Sequence, residues 1–212
     1  VFSDSTKGWI PISDDAVTEA PVAPATQRAI FGYGSTGTPR VSLTNLVNSS
    51  GVVASDVTGV GTARNALAAT GYGGDKGLFG YGYASSSYQS MTNLISNSGV
   101  VASDTSGVGT ARNYLAAASY GGDKAIFGYG FTGSRVSMTN LVNSSGVVAS
   151  DVTGVGTGRS DLAAASYGGD KALFGYGTTG TRVSLTNLVS NSGVVASDTT
   201  GVGTARWGLA AA

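Results

Sequence analysis

The stretch Arg112-Asn113-Tyr114-Leu115-Ala116-Ala117-Ala118-Ser119-Tyr120-Gly121-Gly122-Asp123-Lys124-Ala125-Ile126-Phe127-Gly128-Tyr129-Gly130 decides the fold. A small-residue run, Leu115 to Tyr120, passes through Gly121-Gly122-Asp123-Lys124 into an apolar run, Ala125 to Tyr129. Short runs punctuated by Gly and Asp read as strands joined by tight turns. A helix over Leu-Ala-Ala-Ala is too short, because an isolated helix needs about 12 residues to hold itself. The spacing therefore predicts strand a at Leu115 to Tyr120 and strand b at Ala125 to Tyr129. Strand c follows at Val136 to Val142, then a turn at Asn143-Ser144-Ser145-Gly146, and strand d at Val147 to Asp151. The Gly-Gly and Ser-Gly pairs supply the positive φ angles that such turns demand.

This stretch belongs to a repeat. Phe-Gly-Tyr-Gly begins at Phe31, Phe79, Phe127 and Phe174, at intervals of 48, 48 and 47 residues. Gly-Val-Val-Ala-Ser-Asp starts at Gly51, Gly99, Gly146 and Gly193, and an Arg recurs at Arg64, Arg112, Arg159 and Arg206. Four copies account for residues 27–212, leaving 1–26 as a separate arm. In strand c, Val136, Met138 and Val142 share one face while Leu141 lies on the other, as expected of a sheet covered on both sides. Four short antiparallel strands repeated at this period predict the blades of an all-β propeller.

The same stretch resembles the kelch repeat, whose units run from an Arg through a small-residue strand and a Gly-containing turn to an apolar strand ending in Gly-Gly. Gly128-Tyr129-Gly130 stands where that family has its double Gly, and Val147-Val148 stands where it has a Trp. The near-identical units are also similar to repetitive proteins of bacterial viruses. The resemblance implies a kelch-like β-propeller, and the four copies make four blades the expectation, few for that family.

The ends of the array carry a further expectation. The first unit opens at Gln27-Arg28-Ala29-Ile30-Phe31 without a strand a, and Leu209-Ala210-Ala211-Ala212 is a strand a with no strand b behind it. The two fragments make one blade, so pairing of Leu209 to Ala212 with the Ile30 stretch would close the ring and remove two exposed edges. Two alternatives stand beside it: pairing between chains, into a larger ring or an open helical assembly, and a longer array of which these four units are a part.

Composition narrows the function classes. Twelve basic and twelve acidic residues give no net charge, and 11% of positions are charged. A soluble domain ordinarily has about 25%. Such a chain has no basic footprint for tracking phosphates, so no nucleic-acid partner is expected. With no Cys and no His, thiol nucleophiles, Ser/His pairs and N/S metal sites are excluded. A lone Asp in turns such as Asp198-Thr199-Thr200-Gly201 makes a poor calcium cage. No run of about 18 apolar residues exists, so no membrane span is expected. The expectation is a non-enzymatic protein without cofactors.

Differences between the units separate scaffold from decoration. The repeated Arg and the repeated Asp (Asp56, Asp104, Asp151, Asp198) read as inter-blade or turn-fixing partners, and the Phe and Tyr of each Phe-Gly-Tyr-Gly as core or half-core. Divergence falls in the b–c and d–a loops, which an up-and-down sheet brings to one end. Those loops hold the candidate binding residues Tyr83, Tyr88, Tyr114, Phe131, Asp161 and Trp207. Exposed aromatics of this kind stack on sugar rings or anchor a protein contact. The arm, 1–26, holds Pro11, Pro21 and Pro24, a net charge of −3, and the apolar cluster Trp9, Ile10 and Ile12. That cluster is the expected anchor onto other subunits of a virion or filament. The sequence thus predicts a structural and adhesion protein, extracellular or virion-associated, with a surface glycan or protein as partner. A free-standing lectin-like carbohydrate-binding module is the competing expectation.

Overall fold

The computed structural model describes residues 29–212, together with the backbone of residues 2–4 and 8–9. Phe2–Asp4 (β1) pairs antiparallel with Gly8–Trp9 (β2), so part of the arm expected to be extended turns back as a hairpin. The side chain of Trp9, and Ile10 and Ile12 entirely, lie outside the described residues.

Residues 29–212 are all-β, with no helix. Ala29–Gly32 (β3) and Thr44–Val47 (β4) form a two-stranded sheet. Ala68–Tyr72 (β5), Lys76–Ala84 (β6) and Ser87–Ile95 (β7) form a three-stranded one. The third sheet comprises Ala116–Tyr120 (β8), Lys124–Gly128 (β9) and Thr139–Val142 (β10). The fourth comprises Ala163–Tyr167 (β11), Lys171–Gly175 (β12) and Thr186–Val189 (β13). Strands a and b fall within about a residue of where the sequence puts them, and the Gly121–Gly122 turn has the positive φ values the reading required, 63° and 82°.

Strands c and d depart from expectation. Strand c of the third unit is only Thr139–Val142, because Tyr129 and Gly130 both take positive φ (64° and 108°) and end the ladder early. Strand d is no strand but two isolated bridges, Val142 to Val148 and Thr139 to Val152. The Asn140 side chain explains this: its amide donates to the Ala149 carbonyl at 3.0 Å and to Asp151 Oδ1 at 2.9 Å, replacing ladder bonds with side-chain ones.

The sheets stack face to face in chain order, β5 against β8 and β8 against β11. The strand-b Phe of the second, third and fourth sheets each lie on a glycine of the preceding sheet. A Cβ at Gly32, Gly80 or Gly128 would sit 2.7, 2.6 or 2.5 Å from the ring of Phe79, Phe127 or Phe174, so no side chain fits there. The Tyr that follows each such glycine meets the same Phe edge-on or tilted, with Tyr33–Phe79, Tyr81–Phe127 and Tyr129–Phe174 all at 5.1 Å. Leu78, Val142, Ile126 and Val189 complete the clusters between sheets. The inward strands a are built of small residues because they converge. Thr70, Ala118, Ala165, Ala211 and Ala212 border one narrow cleft of about 240 Å³.

The expected closure is not present. Leu209 to Ala212 carry no strand pairing, and the edge of β3 borders an open groove of about 740 Å³ lined by Ala29, Ile30, Leu46, Thr70 and Leu78. Phe31, which closure would cover, is 62% exposed. The architecture is therefore an open stack of blade-like sheets.

Candidate functional site

The ionisable groups of the scaffold are used between sheets. Arg64 lays its guanidinium 4.2 Å over the Tyr33 ring of the first unit and inserts into the second sheet. There Nη2 donates to Asn93 Oδ1 at 2.6 Å and Nε to the Tyr81 carbonyl at 2.9 Å. Arg112 repeats this over Tyr81 at 4.3 Å, with Asn140 Oδ1 at 2.7 Å and the Tyr129 carbonyl at 2.8 Å. Arg159 stacks on Tyr129 at 4.6 Å and bonds Asn187 Oδ1 at 2.6 Å, but its Nε is buried without a partner. All three Arg are fully buried. Asp104, Asp151 and Asp198 approach these guanidinia at 3.7, 3.9 and 3.4 Å. Each Asp also accepts a 2.6 Å bond from a Thr hydroxyl of the preceding unit, namely Thr62, Thr110 and Thr157. Arg64, Arg112 and Arg159 and Asp104, Asp151 and Asp198 are inter-unit partners, the first of the two roles the sequence offers, whereas Asp56 meets Asn45 of its own unit.

The electrostatics follow from this packing. Partial burial works to raise the carboxyls of Asp104, Asp151 and Asp198, but bonds from Thr and Asn, with the nearby Arg charge, outweigh it and hold them below the ordinary 3.8. Desolvation disfavours the charged forms of Arg64 and Arg112 and lowers both. Burial pushes the Tyr81 and Tyr129 phenols up to about 12 against the opposing pull of Arg112 and Arg159. Both Tyr sit at φ 64°, a left-handed conformation that costs roughly 1–2 kcal/mol. The Phe edge, the overlying Arg and a hydroxyl bond at 3.2 Å to the Val108 or Val155 carbonyl hold them there. Among the described residues, no group of His, Cys, Asp and Glu is placed to hold a metal ion.

The loop end is differently built. Ser85 and Ser86 take φ 44° and 64° and join β6 to β7 in a two-residue turn. That turn sets Tyr83 directly opposite Tyr88, ring centroids 5.5 Å apart, and Phe131 of the next unit lies 6.1 Å from Tyr88. Arg40 of the first unit covers Tyr83 at 4.8 Å while its Nε donates to Asn65 Oδ1 at 3.0 Å. Three b–c loops and one d–a loop thus meet in one strip. A second line is made by the d–a residues Ala66, Tyr114, Asp161 and Gly208, all at positive φ. The amides of Tyr114, Asp161 and Gly208 each donate to the preceding member's carbonyl at 3.0, 3.0 and 2.9 Å. Along this line Tyr114 is 46% and Trp207 52% exposed, and the Asp161 carboxylate accepts from the Ser160 hydroxyl at 2.9 Å. No ring contact among the described residues joins Tyr114 or Trp207 to the Tyr83–Tyr88–Phe131 strip. Arg40, Asn65 and Arg135, the last lying 6.0 Å over Phe131, were not singled out by the sequence reading. The recurrence of Arg40, Arg135 and Arg182 at the close of the b–c loop was the available signal.

No protein-family model matches this chain, and no curated protein matches it.

Proposed function

We propose that the repeats are blades of a kelch-like β-propeller and that the protein is a non-enzymatic structural and adhesion component of a larger assembly, a viral particle or an extracellular fibre. On this reading the arm anchors it through Trp9, Ile10 and Ile12, and the loop end meets a glycan or a protein. The observation that carries the reading is the Tyr83–Tyr88–Phe131 strip with Arg40 on one flank. Rigid aromatic faces beside a guanidinium and an Asn amide offer a sugar both a stacking surface and polar partners, at little cost in side-chain entropy. The Arg, Tyr and Asp that recur in every unit are committed to holding sheets together, which leaves the loop end as the place where the units differ. Exposed Tyr114 and Trp207 stand on the separate d–a line. They equally suit a free-standing lectin-like module, which differs in needing no anchor.

Glycan-array binding tests the reading. Tyr88→Ala and Trp207→Ala should each lower binding at least tenfold. Tyr114→Gly should do so without loss of stability, because glycine occupies the equivalent position at Gly208 and relieves a φ of 52°. Unchanged binding in all three removes the loop end as the site. Deleting residues 1–12 should abolish incorporation into the native assembly while leaving glycan binding intact. Undiminished incorporation favours the free-standing module.

A further inference from the structure

The strands carry charge differently at their two ends. At the a–b turns each base follows an acid: Lys124 Nζ lies 3.4 Å from Asp123 Oδ1, and Lys171 Nζ 3.3 Å from Asp170 Oδ1. Asn97 and Asn191 of the c–d turns donate to Asp75 and Asp170 at 3.0 Å. The b–c loops are not balanced in this way, because the four of them hold Arg40, Arg135 and Arg182 and no Asp or Glu. Asp161, the acid of the d–a loops, stands on the other line with the Ser160 hydroxyl.

These arginines belong to the aromatic strip. Each closes its loop through an antiparallel bridge, Ser35 to Arg40, Phe131 to Arg135 and Thr178 to Arg182. Arg40 lies 4.8 Å over Tyr83, and its Nε bond to Asn65 Oδ1 at 3.0 Å fixes the plane of the guanidinium. Asn65 is itself held, exchanging backbone bonds with Tyr83 at 3.1 and 2.8 Å. At the other end of the strip Arg135 lies 6.0 Å over Phe131, and a Cβ on Gly180 would come within 3.8 Å of its Nη1, so the fourth b–c loop borders it. The order along the surface is Arg40, Tyr83, Tyr88, Phe131, Arg135, a cation at each end and three rings between them. The second unit, whose loop lacks the Arg, supplies two of the rings.

A neutral sugar would use the rings and ignore the guanidinia. A ligand that meets both has faces to stack and anions spaced along it. The C–H face of a sugar packs on Tyr and Phe, and a planar carboxylate takes two parallel N–H bonds from an Arg fork. Successive rings are inclined by 57° and 80°, which suits sugars whose faces turn along a chain better than bases held in a parallel stack. We propose that the loop end binds an acidic polysaccharide, a polyuronate, with sugar faces on Tyr83, Tyr88 and Phe131 and carboxylates on Arg40 and Arg135. The inference rests on the reading of the loop end as a glycan surface and adds the chemical class of the glycan. With no net charge, the chain as a whole has no general attraction for polyanions, so the preference for acid belongs to the strip.

Titration calorimetry of the full chain at about 0.15 M salt tests this with polygalacturonate and alginate, the same polymers with their carboxyls reduced to alcohols, dextran sulfate and a thymidine oligonucleotide. At least one polyuronate should bind about tenfold or more tightly than its reduced form, the worth of one charge-assisted hydrogen bond. Arg135→Gln, at an exposed position, and Arg40→Gln should each remove most of that advantage and leave affinity for the reduced polymer unchanged, which a purely structural role would not do. Lys124→Gln with Lys171→Gln, a like loss of charge at the opposite end, should leave binding as it was. Equal affinity for acidic and reduced polymers, still sensitive to Tyr88→Ala, overturns the acidic class and keeps the glycan reading, whereas a chain that binds no glycan fails both. Dextran sulfate or the oligonucleotide binding as tightly as the polyuronate would show that charge alone is read, and overturns the inference.

Discussion

Phe127 and Phe31 hold the same place in their repeats, yet one is completely buried and the other 62% exposed. The same contrast separates Arg112, fully buried and bonded to the adjacent unit, from the exposed Arg206, which stacks on Tyr176 and donates to the Thr204 carbonyl of its own segment. In a stack of this kind a residue's contribution comes from the adjacent unit more than from its own, because each sheet buries its faces only against its neighbours. Identical sequence therefore gives unequal energetics, and the inequality is largest at the ends.

The strongest way to break this comparison is at the arginines. Arg112→Ala leaves Asn140 Oδ1 and Asp151 without their buried cation and should destabilise by about 3–5 kcal/mol in denaturant unfolding. Arg206→Ala should change stability by no more than about 0.5 kcal/mol in dilute solution. Equal losses would mean that Arg206 is buried after all. Phe127→Ala against Phe31→Ala poses the same question apolarly, with an expected cost of about 3–5 kcal/mol for the first and little for the second. Next in size, Gly128→Ala forces a methyl against the Phe174 ring and should cost about 1–3 kcal/mol. At Gly175 the nearest atom to a new Cβ is 3.4 Å away, so Gly175→Ala should be nearly neutral.

Acid should reveal a smaller effect. The carboxyls of Asp104, Asp151 and Asp198 are held below 3.8 in the folded chain, so the unfolded chain takes up protons first as pH falls. Their contribution is complete above about pH 5 and is lost progressively below about pH 4. Asp151→Asn should cost about 1 kcal/mol at neutral pH and flatten the fall of Tm in acid. The least perturbing measurement is a phenolate titration by absorbance. Tyr81 and Tyr129 should ionise only near pH 12, and ionisation of either at the ordinary 10.0 would show that its junction is open.

Much of this was legible in the sequence. Strands a and b could be read because Gly121-Gly122-Asp123-Lys124 fixes their turn locally, and the Arg and Asp could be assigned between units because they recur with the scaffold. Strand d could not, since the competing bonds come from one side chain, Asn140, acting across nine residues to Ala149. Ring closure was misread for a different reason. Complementary fragments at Ile30 and Leu209 state what fits what, but whether they meet within one chain depends on the rotation between sheets, which no local pattern encodes. At the loop end, the convergence of Tyr83, Tyr88 and Phe131 followed from strand connectivity. Arg40 was missed because its partner, Asn65, comes from a different loop 25 residues away.

Amide hydrogen exchange in dilute solution tests the difference between interior and outer sheets most directly. Lys124–Gly128 should be strongly protected, while Ala29–Gly32 and Leu209–Ala212 should exchange quickly. Equal protection of Ala29–Gly32 and Lys124–Gly128 in dilute solution would contradict the account.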